Sequence, residues 1–344
     1  MSVQIIHSDH DHMLNYAHLF SLTDDKGVFE HCEFSQPRIE HGYCVDDVSR
    51  ALIVVAREPY QNPDLSRAAG VYFNFLSNSQ TSDGRVVNRC DVFGNWNGPA
   101  DTSDHWGRAI WSWGTVVGRS RDSVMAAAAY EKFLVSANKR GEFLRSMLFA
   151  SLGAVEVLKV IPDNRTARSL IADTVDLISS SQNSKWPWPE ERLTYSNAAI
   201  PEVLMQAGNY FHAPALARRG LSLLNWLVEN QTIHTRLSIT PSHGFGYMQT
   251  RPGFDQQPIE VAALADACAT AFDITSDESW RSVINMSARW FEGVNDMGVL
   301  MYEPRTGAGF DGLTANGRNE NQGAESTLAY LSTMQQWNRY CGRS

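Results

Sequence analysis

The chain has 344 residues, 43% hydrophobic and 19% charged, the make-up of a globular protein with enough chain for a large core. Its formal net charge is -9 and no dense Lys/Arg run occurs, which argues against a nucleic-acid partner. Five scattered cysteines (Cys32, Cys44, Cys90, Cys268, Cys341), odd in number and without a CxxC pair, argue against a disulfide framework and a structural zinc site.

Residues 10–22 form the first helical candidate, and residues 48–57 (VSRALIVVAR) are apolar nearly all round, as a buried helix requires. Residues 64–76 mix apolar and polar positions, as an outer helix does. The alternation then repeats. Residues 107–117 are Trp-rich and inner, and 123–136 Ala-rich and outer. Inner and outer partners follow at 143–160 and 165–181, at 198–207 and 213–229, and at 259–271 and 278–291. Residues 325–337 close the series, with 10–22 as their outer partner, so the two ends of the series meet. Short β pieces are expected at 85–88 and 298–302. Six helix pairs, with polar chemistry at one end of the inner members, predict an all-α, closed (α/α)6 toroid over residues 1–344 as one domain. An open solenoid would instead need polar capping repeats. The inner helices are expected to start near Asp47, Asp104, Phe143, Asn197, Glu260 and Glu325. The N-terminus lacks a basic region followed by an apolar one, and no stretch approaches the roughly 18 apolar residues of a membrane span. A cytoplasmic protein with no membrane partner is expected.

Five of the six inner helices open on carboxylates, amides and aromatics: HGYCVDD (41–47), DTSDHWGR (101–108), WPWPEERLTYSN (186–197), FDQQPIE (254–260) and NENQGAE (319–325). An acid at a helix start is ordinary, because it caps orphan N–H groups and meets the positive end of the dipole. Asp46 and Asp47 are one acid more than a cap needs, and His41 and Tyr43 add a donor and a stacking face. Capping accounts for one of Asp101 and Asp104; Trp106 follows, and Arg108 can clamp a carboxylate, whether a ligand's or a structural Asp's. Two prolines stiffen the segment holding Trp186 and Trp188, expected as a sugar-stacking wall rather than a rigid loop packed on the rim. Glu190, Glu191, Tyr195 and Asn197 add polar groups there. Pro258 and Glu260 are a normal helix opening, but the Gln256 and Gln257 amides suit hydroxyl groups. Asn321 and its neighbours before Glu325 do the same, and His243 stands on a Gly-flanked loop.

His7, His10 and His12 with Asp9 and Asp11 lack the i, i+4 spacing of a helical zinc site, so no metal is expected. No phosphate-loop or dinucleotide motif and no GxSxG elbow occurs, and no cofactor is expected.

HGYCVDDVSRAL, GRAIWSWG, WPWPEERLTYSNAAIPEVLMQAG, QQPIEVAALADA and NENQGAESTLAYL, spread over residues 41–331, together resemble a group of bacterial (α/α)6-toroid, glycoside hydrolase-like proteins found beside or fused to retaining glycosyltransferases. Val48 and Ser49 depart from that group's DDNARAL, and Ser196 replaces the acid of its LTYDNA. The resemblance implies a toroid, a saccharide substrate and a functional link to a glycosyltransferase. The expected function is an inverting glycoside hydrolase acting on an oligosaccharide or glycan through two cavity carboxyls. Asp47 and Glu191 rank first as catalytic groups, then Glu325 and Asp104. The other polar and aromatic residues named in the five openings, with His243, are expected to bind the sugar. Two alternatives stand beside this. A sugar isomerase or epimerase would draw on His41, His105 or His243 as proton shuttles. A non-catalytic glycan binder would keep the tryptophans without a facing carboxyl pair.

Overall fold

Helices alternate between an inner and an outer ring in the computed structural model, which describes residues 14–60 and 62–342. The inner helices are α2 (Val45–Arg57), α4 (Asp104–Arg119), α6 (Leu144–Val160), α8 (Ala199–Tyr210), α10 (Pro258–Thr275) and α12 (Ala324–Tyr340). The outer ones are α3 (Pro63–Ser79), α5 (Ser123–Ala137), α7 (Arg165–Leu177), α9 (Pro214–Asn230) and α11 (Glu278–Phe291), joined by the single-turn α1 (Ala17–Ser21). Every inner start falls within two residues of its expected position. Each inner helix packs on the next, and α12 packs on both α10 and α2, so the ring closes as an (α/α)6 toroid. At the closure Gln335 Nε2 donates to the Val54 carbonyl at 2.8 Å. The expected helix at 10–22 is this short α1, and residues 10–13 lie outside the described residues. So do His7, His10, His12, Asp9 and Asp11. Among the described residues no helix is long and apolar enough to cross a membrane.

The outer helices are capped conventionally. Asn62, Asp122, Asn164 and Asp277 each precede one and accept a backbone N–H from its first turn. The inner helices differ. Among the described residues only α2 has a side-chain cap, and it is the Cys44 sulfur, not either Asp; α4, α6, α8, α10 and α12 have none. Capping therefore does not account for the acids at the inner openings.

Glycine brings α4 and α6 together. A Cβ on Gly114 would lie 2.1 Å from the Gly153 carbonyl oxygen, and one on Gly153 would lie 2.3 Å from that of Ile110. Backbone-to-backbone contact here seats the Arg108 guanidinium 3.9 Å above the Phe149 ring. Strands are short and sit in the loops. Val86–Cys90 pairs with both Tyr43–Cys44 and Trp96–Asp101, near the expected 85–88. The piece expected at 298–302 begins only at Tyr302. Four more two-stranded ribbons are too brief to show alternation in sequence.

Candidate active site

Arginines from three successive inner helices gather acids around the mouth formed by the inner N-termini. Arg50 on α2 holds two of them: its Nη1 donates to Asp47 at 2.5 Å and its Nη2 lies 2.8 Å from Glu325. Arg108 on α4 places Nε 3.2 Å from Asp46. Arg145, at the start of α6, donates to both oxygens of Glu190 at 3.0 and 2.8 Å and to the Tyr195 carbonyl at 2.7 Å. The Tyr195 hydroxyl in turn donates to Asp104. Glu260 is buried on α10 and accepts from the Ser196 N–H and from Asn197 Nδ2, the latter at 2.9 Å. It thereby fixes a turn in which Ser196 adopts φ +45°.

A cavity of about 410 Å³ opens at this mouth, within the range of about 300–1,000 Å³ usual for small-molecule sites. Asp46, Asp47, Arg50, Gln257 and Glu325 line it, together with Glu30, His31, Cys44 and Asp311. Below it an apolar chamber shares Arg50 and Glu325 and is walled by Ile53, Phe149 and Leu328, with Arg108 and Ser196 on its lining. Asp47 is 3% exposed. Burial pushes its carboxyl up to about 6; Arg50 pulls it down, while Glu325, Glu30 and Asp46 push it further up. Burial also raises Glu260 and Asp311, against the hydrogen bonds each accepts.

The site thus brings together Asp46, Asp47, Gln257 and Glu325, with Arg108 directly beneath. Asp104, Glu190, Asn197 and Glu260 lie in the adjoining hydrogen-bonded network. Glu191 is exposed on the neighbouring loop and does not line the cavity. The expected aromatic wall is corrected by the packing. Trp188 is 1% exposed and stacks on Trp226 of α9, and buried Trp186 meets Trp226 edge-on and donates Nε1 to the Glu190 carbonyl. Their faces are covered by protein, so they stiffen the loop that carries Glu190. Trp106 is fully buried in the core. Tyr43 is buried too, stacking on Phe29 and donating to Asp24 at 2.5 Å. His41 is exposed and meets His31 edge-on at 5.1 Å. His243 is exposed beside Ser242, away from the cavity lining. Asn321 Oδ1 accepts the Phe34 N–H at 2.9 Å, fastening one loop of the mouth to another.

Glu30, His31, Cys44 and Asp311 were not among the sequence candidates. Cys44 lay inside a quoted motif, but the others sit in loops that carry no helix-opening signal. Among the described residues, Glu30, Cys44 and Asp47 place one potential ligand atom each within 4.8 Å of one another. Arg89 already pairs with Glu30 and Arg50 with Asp47, and burial pushes the Cys44 thiol well above its ordinary range. The cluster is a carboxylate–arginine network whose charge is met from within.

No protein-family model and no curated protein sequence matches the chain. Solved structures do resemble it in fold. A sugar epimerase from a ruminal bacterium superposes with a TM-score of 0.70 at 12% identity, over 95% of each chain. A cellobiose 2-epimerase from Bacillus thermoamylovorans gives 0.71 at 9% identity, over 94% of this chain and 96% of that one. A family 76 α-mannanase from Bacteroides thetaiotaomicron gives 0.66 at 8% identity, over 93% and 92%.

Proposed function

We propose that the chain is a glycoside hydrolase acting on an oligosaccharide or glycan at the mouth formed by the inner N-termini. One observation carries this reading: Asp47 and Glu325 stand on either edge of the Arg50 guanidinium in the wall of a sugar-sized cavity. Asp47, raised to about 6 by burial, is the proton donor. Its proton passes to the glycosidic oxygen as the bond from that oxygen to the anomeric carbon breaks. Glu325, half-exposed to the cavity, takes a proton from the water that bonds to the anomeric carbon. One water is consumed, and the proton gained by Glu325 restores Asp47 through solvent. We keep inversion of the anomeric centre within this proposal. The resemblance to proteins found beside retaining glycosyltransferases supports a glycan such an enzyme builds as the natural substrate. We keep the link to a glycosyltransferase within this proposal.

A second reading has its own support. His31 lines the same cavity with Nε2 3.6 Å from Glu30, a pair able to move a proton at carbon, and two of the similar folds are sugar epimerases. NMR of manno-, gluco- and galacto-oligosaccharides incubated in D2O separates the two. Hydrolysis yields a new reducing end, first seen as the inverted anomer. Epimerisation or isomerisation leaves the linkage intact and places deuterium on the sugar carbon that lost its proton. No change in these sugars, or in their uronic acid-bearing and phosphorylated counterparts, would remove both enzyme readings and leave a glycan-binding protein.

A further inference from the structure

Among the described residues Arg108 is the arginine of the mouth that pairs with an acid, Asp46, without an aligned hydrogen bond. Its side chain is buried, at 4% exposure, near the start of α4. Arg50 and Arg145 each donate aligned hydrogen bonds to carboxylates. Arg108 makes no aligned hydrogen bond among the described residues; Asp46 lies 3.2 Å from its Nε but out of line, and that Nε is left without a hydrogen-bond partner. One face of the guanidinium rests on Phe149. That contact fixes the plane and leaves the donor-bearing edge as the unused part. A buried guanidinium without aligned acceptors is costly, and acceptors brought by a ligand would offset that cost. Burial first, and then the neighbouring Arg50, lowers Arg108 to about 10, against the pull of Asp46, Glu325 and Asp104. Arg108 lines the chamber directly beneath Asp47 and Glu325, and the buried Ser196 lines it too.

We infer that Arg108 is the seat of an anionic group and, resting on the saccharide reading above, that the substrate is an acidic sugar, carrying a carboxylate or a phosphate ester held by the guanidinium fork. Arginine's planar fork matches either oxyanion in bidentate fashion.

The test is calorimetric titration of the full chain with glucuronic acid-bearing, galacturonic acid-bearing and 6-phosphorylated disaccharides and with their neutral parents, plus thermal shift with inorganic phosphate. A charge-assisted bidentate contact predicts that at least one acidic class binds about 10- to 100-fold more tightly than its neutral parent. Comparison of the carboxylated and phosphorylated arms identifies the anion. Arg108→Gln should erase the preference and Arg108→Lys keep part of it. Ser196→Asp should also erase it, by placing a carboxylate on the same chamber wall; Asp tolerates the positive φ there. The comparison in the unaltered chain needs no variant to fold. Neutral sugars binding as well as acidic ones would overturn the anion seat and leave the saccharide reading standing. A preference that survives Arg108→Gln would overturn the assignment to this residue. Phosphate stabilising the unaltered chain but not Arg108→Gln, with no sugar bound, would keep the seat and overturn the saccharide reading. No binding by any ligand would overturn both.

Discussion

Replacing Asp47 with Asn tests the chemistry where the structure is most explicit. The carboxyl sits at about 6 because burial outweighs the pull of Arg50. A proton donor with that value is about 90% protonated at pH 5 and about 10% at pH 7, so kcat/KM should fall roughly tenfold across this interval. The limb should flatten in Asp47→Asn, with turnover down by about 100- to 10,000-fold. Arg50→Gln removes the strongest force holding the carboxyl down, so the limb should move to higher pH rather than vanish. Reducing-end release from the natural glycan, followed from pH 4 to pH 9 in the three proteins, gives the answer. A limb that stays near pH 6 in Asp47→Asn, or an Arg50→Gln limb that moves to lower pH, would refute the assignment.

Further outcomes follow from the same geometry. Glu325→Gln should lower turnover by about 100-fold or more, whereas Glu191→Gln should leave it near wild type, because Glu191 lies outside the cavity; equal losses measured by the same assay would undo the pairing of Asp47 with Glu325. Gly153→Ala should destabilise the fold by about 1–2 kcal/mol net in urea unfolding, since overpacking against the Ile110 carbonyl outweighs the roughly 1 kcal/mol that helix propensity offers alanine. Glu202 lies deep in the barrel, raised from 4.5 to about 8 by burial and by the charge of Asp266. The folded chain therefore holds a proton that the unfolded chain releases, and this contribution is full below about pH 4.5 and lost as pH rises through about 8. Glu202→Gln should raise the melting temperature more at pH 8.5 than at pH 5, and the opposite order would show that Glu202 is ionised in the fold.

Periodicity made the rings legible. Residues 48–57 and 143–160 are apolar nearly all round, a pattern that suits an inner helix, and the expected starts lie within two residues of those observed. The acids at the openings were legible as well. Their explanation by capping was not resolvable in sequence, because it needed Cys44 seen as the cap of α2 and the absence of side-chain caps on the other inner helices. Arg50 and Arg145 were hidden in plain view, each a charge inside a segment read as apolar. Trp186 and Trp188 misled for a different reason: Trp226, which covers them, lies about 40 residues further along the chain on an outer helix. Glu30 and Asp311 reach the mouth only through tertiary hydrogen bonds, from Ala324 N to the Glu30 carbonyl at 3.1 Å and from Gly323 N to Asp311 at 2.8 Å. No local pattern encodes those contacts.

The seat of the sugar decides between the two mouths of the barrel. A crystal structure of Asp47→Asn soaked with the tightest-binding disaccharide of the titration series tests it directly. The glycosidic oxygen should lie within about 2.6–3.2 Å of residue 47, with the anomeric carbon turned toward Glu325 and the anionic substituent on Arg108. A sugar seated instead at the opposite mouth, among Glu156, Gln206 and Arg339, would contradict this placement.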